Sequence, residues 1–208
     1  MLVVVQSPNK AMDAEIEVKF LDVDIENVRT RLQDAGAVLE QPMRLMRRAL
    51  IEEAHHAAEN SFIRVRDEGD KVTLTFKRRT KSDAETSIDS TKEIETTVGD
   101  FDKTVTIFAE AGWNYTTLQE SRRETWRLDD AEVVIDEWPW IQPYIEIEAA
   151  SEYVVKRVAQ ALGFDWKDAV FGSVDVVYQR DFPKMKIRGV IDIKEVRFAD
   201  PVPAAFLG

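Results

Sequence analysis

A chain of 208 residues, 44% of them hydrophobic, carries enough apolar material for a sizeable core in one domain. A formal net charge of −11 argues against a general nucleic-acid or anionic-membrane binder, and the lack of cysteine removes disulfides, thiolate chemistry and Cys-based zinc sites. No apolar run is long enough to span a membrane, and Met1-Leu2-Val3-Val4-Val5 is too short for a signal-peptide core, so a cytoplasmic protein is expected.

In chain order, residues 1–12 read as a leader outside the fold. Glu15-Ile16-Glu17-Val18-Lys19-Phe20 alternates as a strand with one charged and one apolar face. Asp24 caps a predicted helix to about Ala35, with Ile25, Val28 and Leu32 on one face and Gly36 as its stop. Residues 43–52 read as a weak strand, and 54–60, with His55 and His56, as a solvated loop or short helical turn. A hairpin follows over 62–67 and 71–78, turning at Glu68-Gly69-Asp70. Residues 79–91 are polar and read as a loop. Strand 91–98 carries Glu93-Ile94-Glu95, and the next helix runs from Asp100 to Gly112. Residues 117–128 and 132–137 form another hairpin, and two prolines in 138–143 interrupt the pattern. Strand 144–149 carries Glu146-Ile147-Glu148, and Ser151 caps a helix ending at Gly163. Residues 186–198 read as an added hairpin around Arg188-Gly189, and 201–203 as a terminal tail.

Strand parity sorts these residues into two faces. Ile16, Val18, Phe20, Ile63, Val65, Leu74, Phe76, Ile94 and Ile147 form the apolar set. Glu15, Glu17, Lys19, Arg64, Arg66, Lys77, Glu93, Glu95, Glu146 and Glu148 form the charged set, with Arg123 and Asp136 offered by alternation. Three amphipathic helices can cover the apolar face, so the class is α+β with a mainly antiparallel sheet. The charged face then either lies open to solvent or lines the lumen of a closed barrel, and so many charges of both signs favour the barrel. Arginine and lysine at strand spacing suit the oxygens of successive phosphates. Carboxylates without histidine or cysteine suit Mg²⁺ or Mn²⁺.

Taken in order, Glu15-x-Glu17-x-Lys19, Arg64-x-Arg66, Leu74-Thr75-Phe76-Lys77, Glu93-x-Glu95, Asp136 and Glu146-x-Glu148 resemble the CYTH superfamily, the triphosphate tunnel metalloenzymes. The resemblance covers roughly residues 13–180. It implies a closed antiparallel eight-stranded β-barrel, a tunnel, with helices packed outside. It also implies a metal-dependent enzyme acting on a triphosphate such as tripolyphosphate, ATP or thiamine triphosphate. Hydrolysis is the first expectation, because it needs no base-specific pocket; a class IV adenylate cyclase is the alternative, and a non-catalytic polyphosphate- or nucleotide-binding module the third. In the implied site Glu15, Glu17 and Glu148 hold the metal with Glu146 and Asp136 close by. Arg64, Arg66, Lys77 and Arg123 hold the phosphates, while Lys19 and Glu17 are the catalytic pair. Residues 13–181 would be the catalytic domain and 182–208 a C-terminal extension. No nucleic-acid or membrane partner is expected, and a homodimer is allowed. Three features depart from the family pattern: Ser121-Arg122-Arg123 lacks a lysine, Arg47-Arg48-Ala49-Leu50-Ile51 lacks a tyrosine, and the segment 138–143 is long and aromatic.

Overall fold

The computed structural model describes residues 13–79 and 90–208; the leader 1–12 and most of the 79–91 loop read from the sequence lie outside the described residues. The chain runs β1 (Asp13–Phe20), α1 (Ile25–Asp34), β2 (Val38–Ile51), α2 (Ala54–Ala58), β3 (Ser61–Asp67), β4 (Val72–Arg79), β5 (Ser90–Val98) and α3 (Phe101–Glu110). It continues with β6 (Thr117–Leu128), β7 (Ala131–Glu137), β8 (Tyr144–Ala149), α4 (Glu152–Ala161), α5 (Val174–Asp181), β9 (Glu195–Val196) and α6 (Ala204–Leu207). The α+β class and the antiparallel sheet are therefore as the alternation predicted. The strand order is β2-β3-β4-β5-β1-β8-β7-β6-β9, and β2 additionally pairs antiparallel with β6. Among the described strands, only the short β9 runs parallel to its neighbour. No helix among the described residues is long and apolar enough to cross a membrane.

Local chemistry sets the helix ends. Asp24 accepts hydrogen bonds from the Glu26 and Asn27 amides at the start of α1, satisfying two of the four donors a helix leaves open. Gly36 follows in the left-handed conformation at φ 79°, where a side chain would be strained. Asp100 and Ser151 cap α3 and α4 in the same way.

The apolar parity set builds the core. Val18, Phe20, Val133, Ile135, Ile145 and Ile147 from the sheet pack with Val28 and Leu32 of α1 and Val155 and Val158 of α4. Phe20 stacks on Phe164 at 4.4 Å. Each such side chain removed from water contributes roughly 1.5–3 kcal/mol. Ile94 departs from the set and is exposed. A second cluster joins Trp138 and Tyr144 to Val177 and Tyr178 of α5 and to Val190, Val196 and Phe206.

Four expectations are corrected. β2 begins at Val38, well before residue 43, because the register shifts between Gln41 and Arg44 let the strand carry Pro42. His56 is buried, not solvated, and its Nδ1 accepts the Glu53 amide at 3.2 Å. The hairpin read over 186–198 does not form. Three donors of Arg188 fold back onto Asp192, a 3₁₀ turn spans Val190–Asp192, and the chain then joins β6 as β9. The terminal tail instead ends in α6, whose Phe206 is buried.

Candidate functional site

The charged parity set faces a cavity of about 760 Å³. β1 supplies Glu17 and Lys19, β3 Arg64 and Arg66, β4 Lys77, β5 Glu93 and Glu95, β6 Arg123, β7 Asp136, and β8 Glu146 and Glu148. The register explains their meeting, since Glu17 lies opposite Glu148, Lys19 opposite Glu146, Lys77 opposite Glu93, and Arg123 opposite Asp136. Glu15 is placed by its backbone in β1, and its side chain lies outside the described residues.

One wall is acidic. Glu17, Glu146 and Glu148 each offer a carboxylate oxygen, and these lie within 4.8 Å of one another. Burial, followed by the like charges of Glu146 and Glu17, pushes Glu148 up to about 7. Glu146 is also raised, by burial first, although Lys19 pulls the other way. Lys19 is almost fully buried and sits 3.0 Å from both Glu17 and Glu146. Burial alone would lower its pKa; the two carboxylates outweigh that and hold it above the ordinary lysine range. Asp136 stands apart from the three-carboxylate cluster. Both its oxygens accept from Arg123, at 2.7 and 2.6 Å, in a bidentate pair.

Elsewhere along the lining, basic side chains alternate with further acids, Glu68, Glu93 and Glu95 among them. Arg64 is buried, and its burial, reinforced by the charges of Arg66 and Arg48, pushes its pKa down to about 9. Its Nη2 reaches Thr75 at 3.3 Å and Glu95 at 3.5 Å, while its Nε is buried without a partner. Desolvated guanidinium groups with incomplete pairing are costly, and an anion relieves them. The three crowded carboxylates fit a hard divalent cation for the mirror-image reason.

Sequence reasoning missed Arg44, Arg48 and Glu68, which also line the cavity. Arg44 and Arg48 share the parity of Arg123 and Arg66 through the register of β2, a signal blurred by Arg47 on the opposite face, where it pairs with Asp67 and Asp102. Arg48 donates to Gln119 at 2.7 Å and lies 4.3 Å over the Trp138 ring, so the aromatic segment packs an arginine at the cavity wall. Burial lowers Arg48 to about 10.

The CYTH domain profile matches residues 13–165. The chain belongs to the CYTH family. A search of curated proteins gives no significant match. Among solved structures, a proposed adenylate cyclase from Vibrio parahaemolyticus superposes with a TM-score of 0.68 at 9% identity, over 80% of this chain and 98% of the other. A Pyrococcus horikoshii protein gives 0.62 at 20% identity, over 74% and 93%. A proposed adenylyl cyclase from Hippeastrum, described as having a dominant triphosphatase activity, gives 0.53 at 15% identity, over 82% and 96%. At these identities the likeness is one of fold.

Proposed function

We propose that this protein is a metal-dependent triphosphatase that holds its substrate in a tunnel formed by β1–β8. The β2–β6 pairing supports a closed tunnel, because it joins the two ends of that run of eight strands. The observation that carries the function is one cavity that holds both a three-carboxylate cluster and several arginines, with the buried Arg64 incompletely paired. Triphosphate with a divalent cation matches both.

Glu17, Glu146 and Glu148 would hold Mg²⁺ or Mn²⁺, with Glu15 contributing from the start of β1. A cation bound there polarises a phosphoryl oxygen and lowers the pKa of bound water. Arg64, Arg66, Lys77 and Arg123 orient the phosphate chain, with Asp136 fixing the Arg123 plane. Lys19, held charged beside Glu17, stabilises charge developing on a phosphoryl oxygen. Residues 13–181 constitute the catalytic part in this assignment, and the family match over 13–165 supports it.

The test is to incubate the protein with tripolyphosphate, ATP and thiamine triphosphate, each with Mg²⁺ or Mn²⁺, and to identify every product. Orthophosphate released only with the metal is the expected result. Cyclic AMP and pyrophosphate from ATP would make it an adenylate cyclase, the activity proposed for the Vibrio neighbour. Binding without turnover would leave a polyphosphate-binding module.

A further inference from the structure

At the β3–β4 turn an acid sits where a phosphate would be expected. Glu68 is 5% exposed and lines the cavity. Its Oε1 accepts from Arg66 Nε at 2.9 Å and lies 2.6 Å from Arg66 Nη2. Its Oε2 lies 3.8 Å from Arg44 Nη2 and 3.7 Å from Lys71 Nζ, and Thr73 Oγ1 donates to Oε1 at 3.4 Å. Among the described residues, the side-chain hydrogen bond and ion pair of Arg66 both go to Glu68. Burial works against the Glu68 charge, but the charge and hydrogen bonding of Arg66, then Lys71, hold the carboxyl below its usual range.

We propose that Glu68 is a resident counter-anion on Arg66, and that a phosphate of the ligand binds by displacing it. The inference rests on the assignment of the cavity to a triphosphate. An oxyanion shared by two guanidinium groups and an ammonium is what those groups would offer a phosphate. Glu68 occupies the Nε–Nη2 edge of Arg66, the edge a phosphate would grip in a bidentate pair, and its charge opposes every anion that reaches this end of the cavity. Several phosphates held together recover the loss at Arg64, Lys77 and Arg123, whereas a single phosphate does not. Glu68 thereby acts as a specificity residue, favouring long polyphosphates over orthophosphate.

The displacement leaves a signature in a double-mutant cycle. Tripolyphosphate affinity is measured by calorimetry without metal for the wild type, Glu68→Gln, Arg66→Ala and the double variant, with melting temperatures alongside. Glu68→Gln should bind roughly tenfold more tightly than the wild type, the change that about 1.4 kcal/mol produces, and most of this gain should vanish when Arg66 is alanine. Glu68→Asp, which draws the carboxylate back from Arg66, should give a smaller gain and serves if the glutamine variant does not fold. An equal gain in both Arg66 backgrounds would reduce Glu68 to a source of repulsive field and overturn the proposal. Weaker binding by Glu68→Gln at unchanged melting temperature would make Glu68 a support for Arg66, also overturning it. Failure of the wild type to bind tripolyphosphate at all would sink the functional assignment itself, and the proposal with it.

Discussion

At the scale of single residues, the crowded acids make Glu148 the proton sensor of the site. Its carboxyl is held at about 7 by burial and by Glu146 and Glu17, against about 4.3 for an unperturbed glutamate. Between those values the folded state binds more protons than the unfolded one. Glu148 therefore stabilises the metal-free protein below that window and loses this contribution as the pH rises through it. A divalent cation needs the deprotonated wall, so Mg²⁺ affinity should climb with pH over the same interval. Both trends should flatten in Glu148→Gln, as measured by melting and by calorimetry across the window; a wild type and a variant with parallel pH profiles would contradict the assignment. On the opposite wall, Arg64→Ala should weaken tripolyphosphate binding by about 1.5–3 kcal/mol, the range for a hydrogen bond to a charged group. The melting temperature should change little, because Glu95 retains the Thr75 hydroxyl at 2.8 Å. The same calorimetric series reads both quantities.

At the scale of elements, the parts most legible in the sequence were those with a simple period. β1, β5 and β8 announced themselves because charged and apolar residues alternate in each, and α1, α3 and α4 because a capping side chain and a glycine bracket an apolar stripe. β2 was only half legible: Pro42 interrupts the period, and the bulges that accommodate it depend on β6, which lies far along the chain. Within the part that was read, Arg47 on the other face hid the shared parity of Arg44 and Arg48. β9 has two residues and exists only because β6 offers a free edge beside Leu118 and Gln119. No local pattern could have revealed it. Glu68 was visible as a turn residue, but its partner Arg44 comes from a different strand. The cap at α1 gives a clean check on the element level. Asp24→Ala should cost about 1 kcal/mol of stability in urea unfolding. Tripolyphosphate affinity should not move, since α1 buries Val28 and Leu32 against the sheet face opposite the cavity.

At the scale of the whole molecule, residues of the segment after α5 pack into the structure's second apolar cluster. Val190, Val196 and Phe206 are each at most 1% exposed and pack with Trp138, Tyr144 and Tyr178. Phe206→Ala should therefore cost about 3–5 kcal/mol in denaturant unfolding. A loss within experimental error would mean that the C-terminal helix does not dock in solution. The strand order carries a further consequence, concerning how the molecule comes into being. β1 lies between β5 and β8, so Glu17 waits for Glu148 on a strand made much later. The pairing of β2 with β6 spans a shorter but still distant stretch of chain. Contacts this distant close slowly, because the entropy of the intervening loop is lost before they form. A nascent chain stalled before β8 lacks two of the three clustered carboxylates, Glu146 and Glu148. Refolding should accordingly regain anion binding only in its slowest phase.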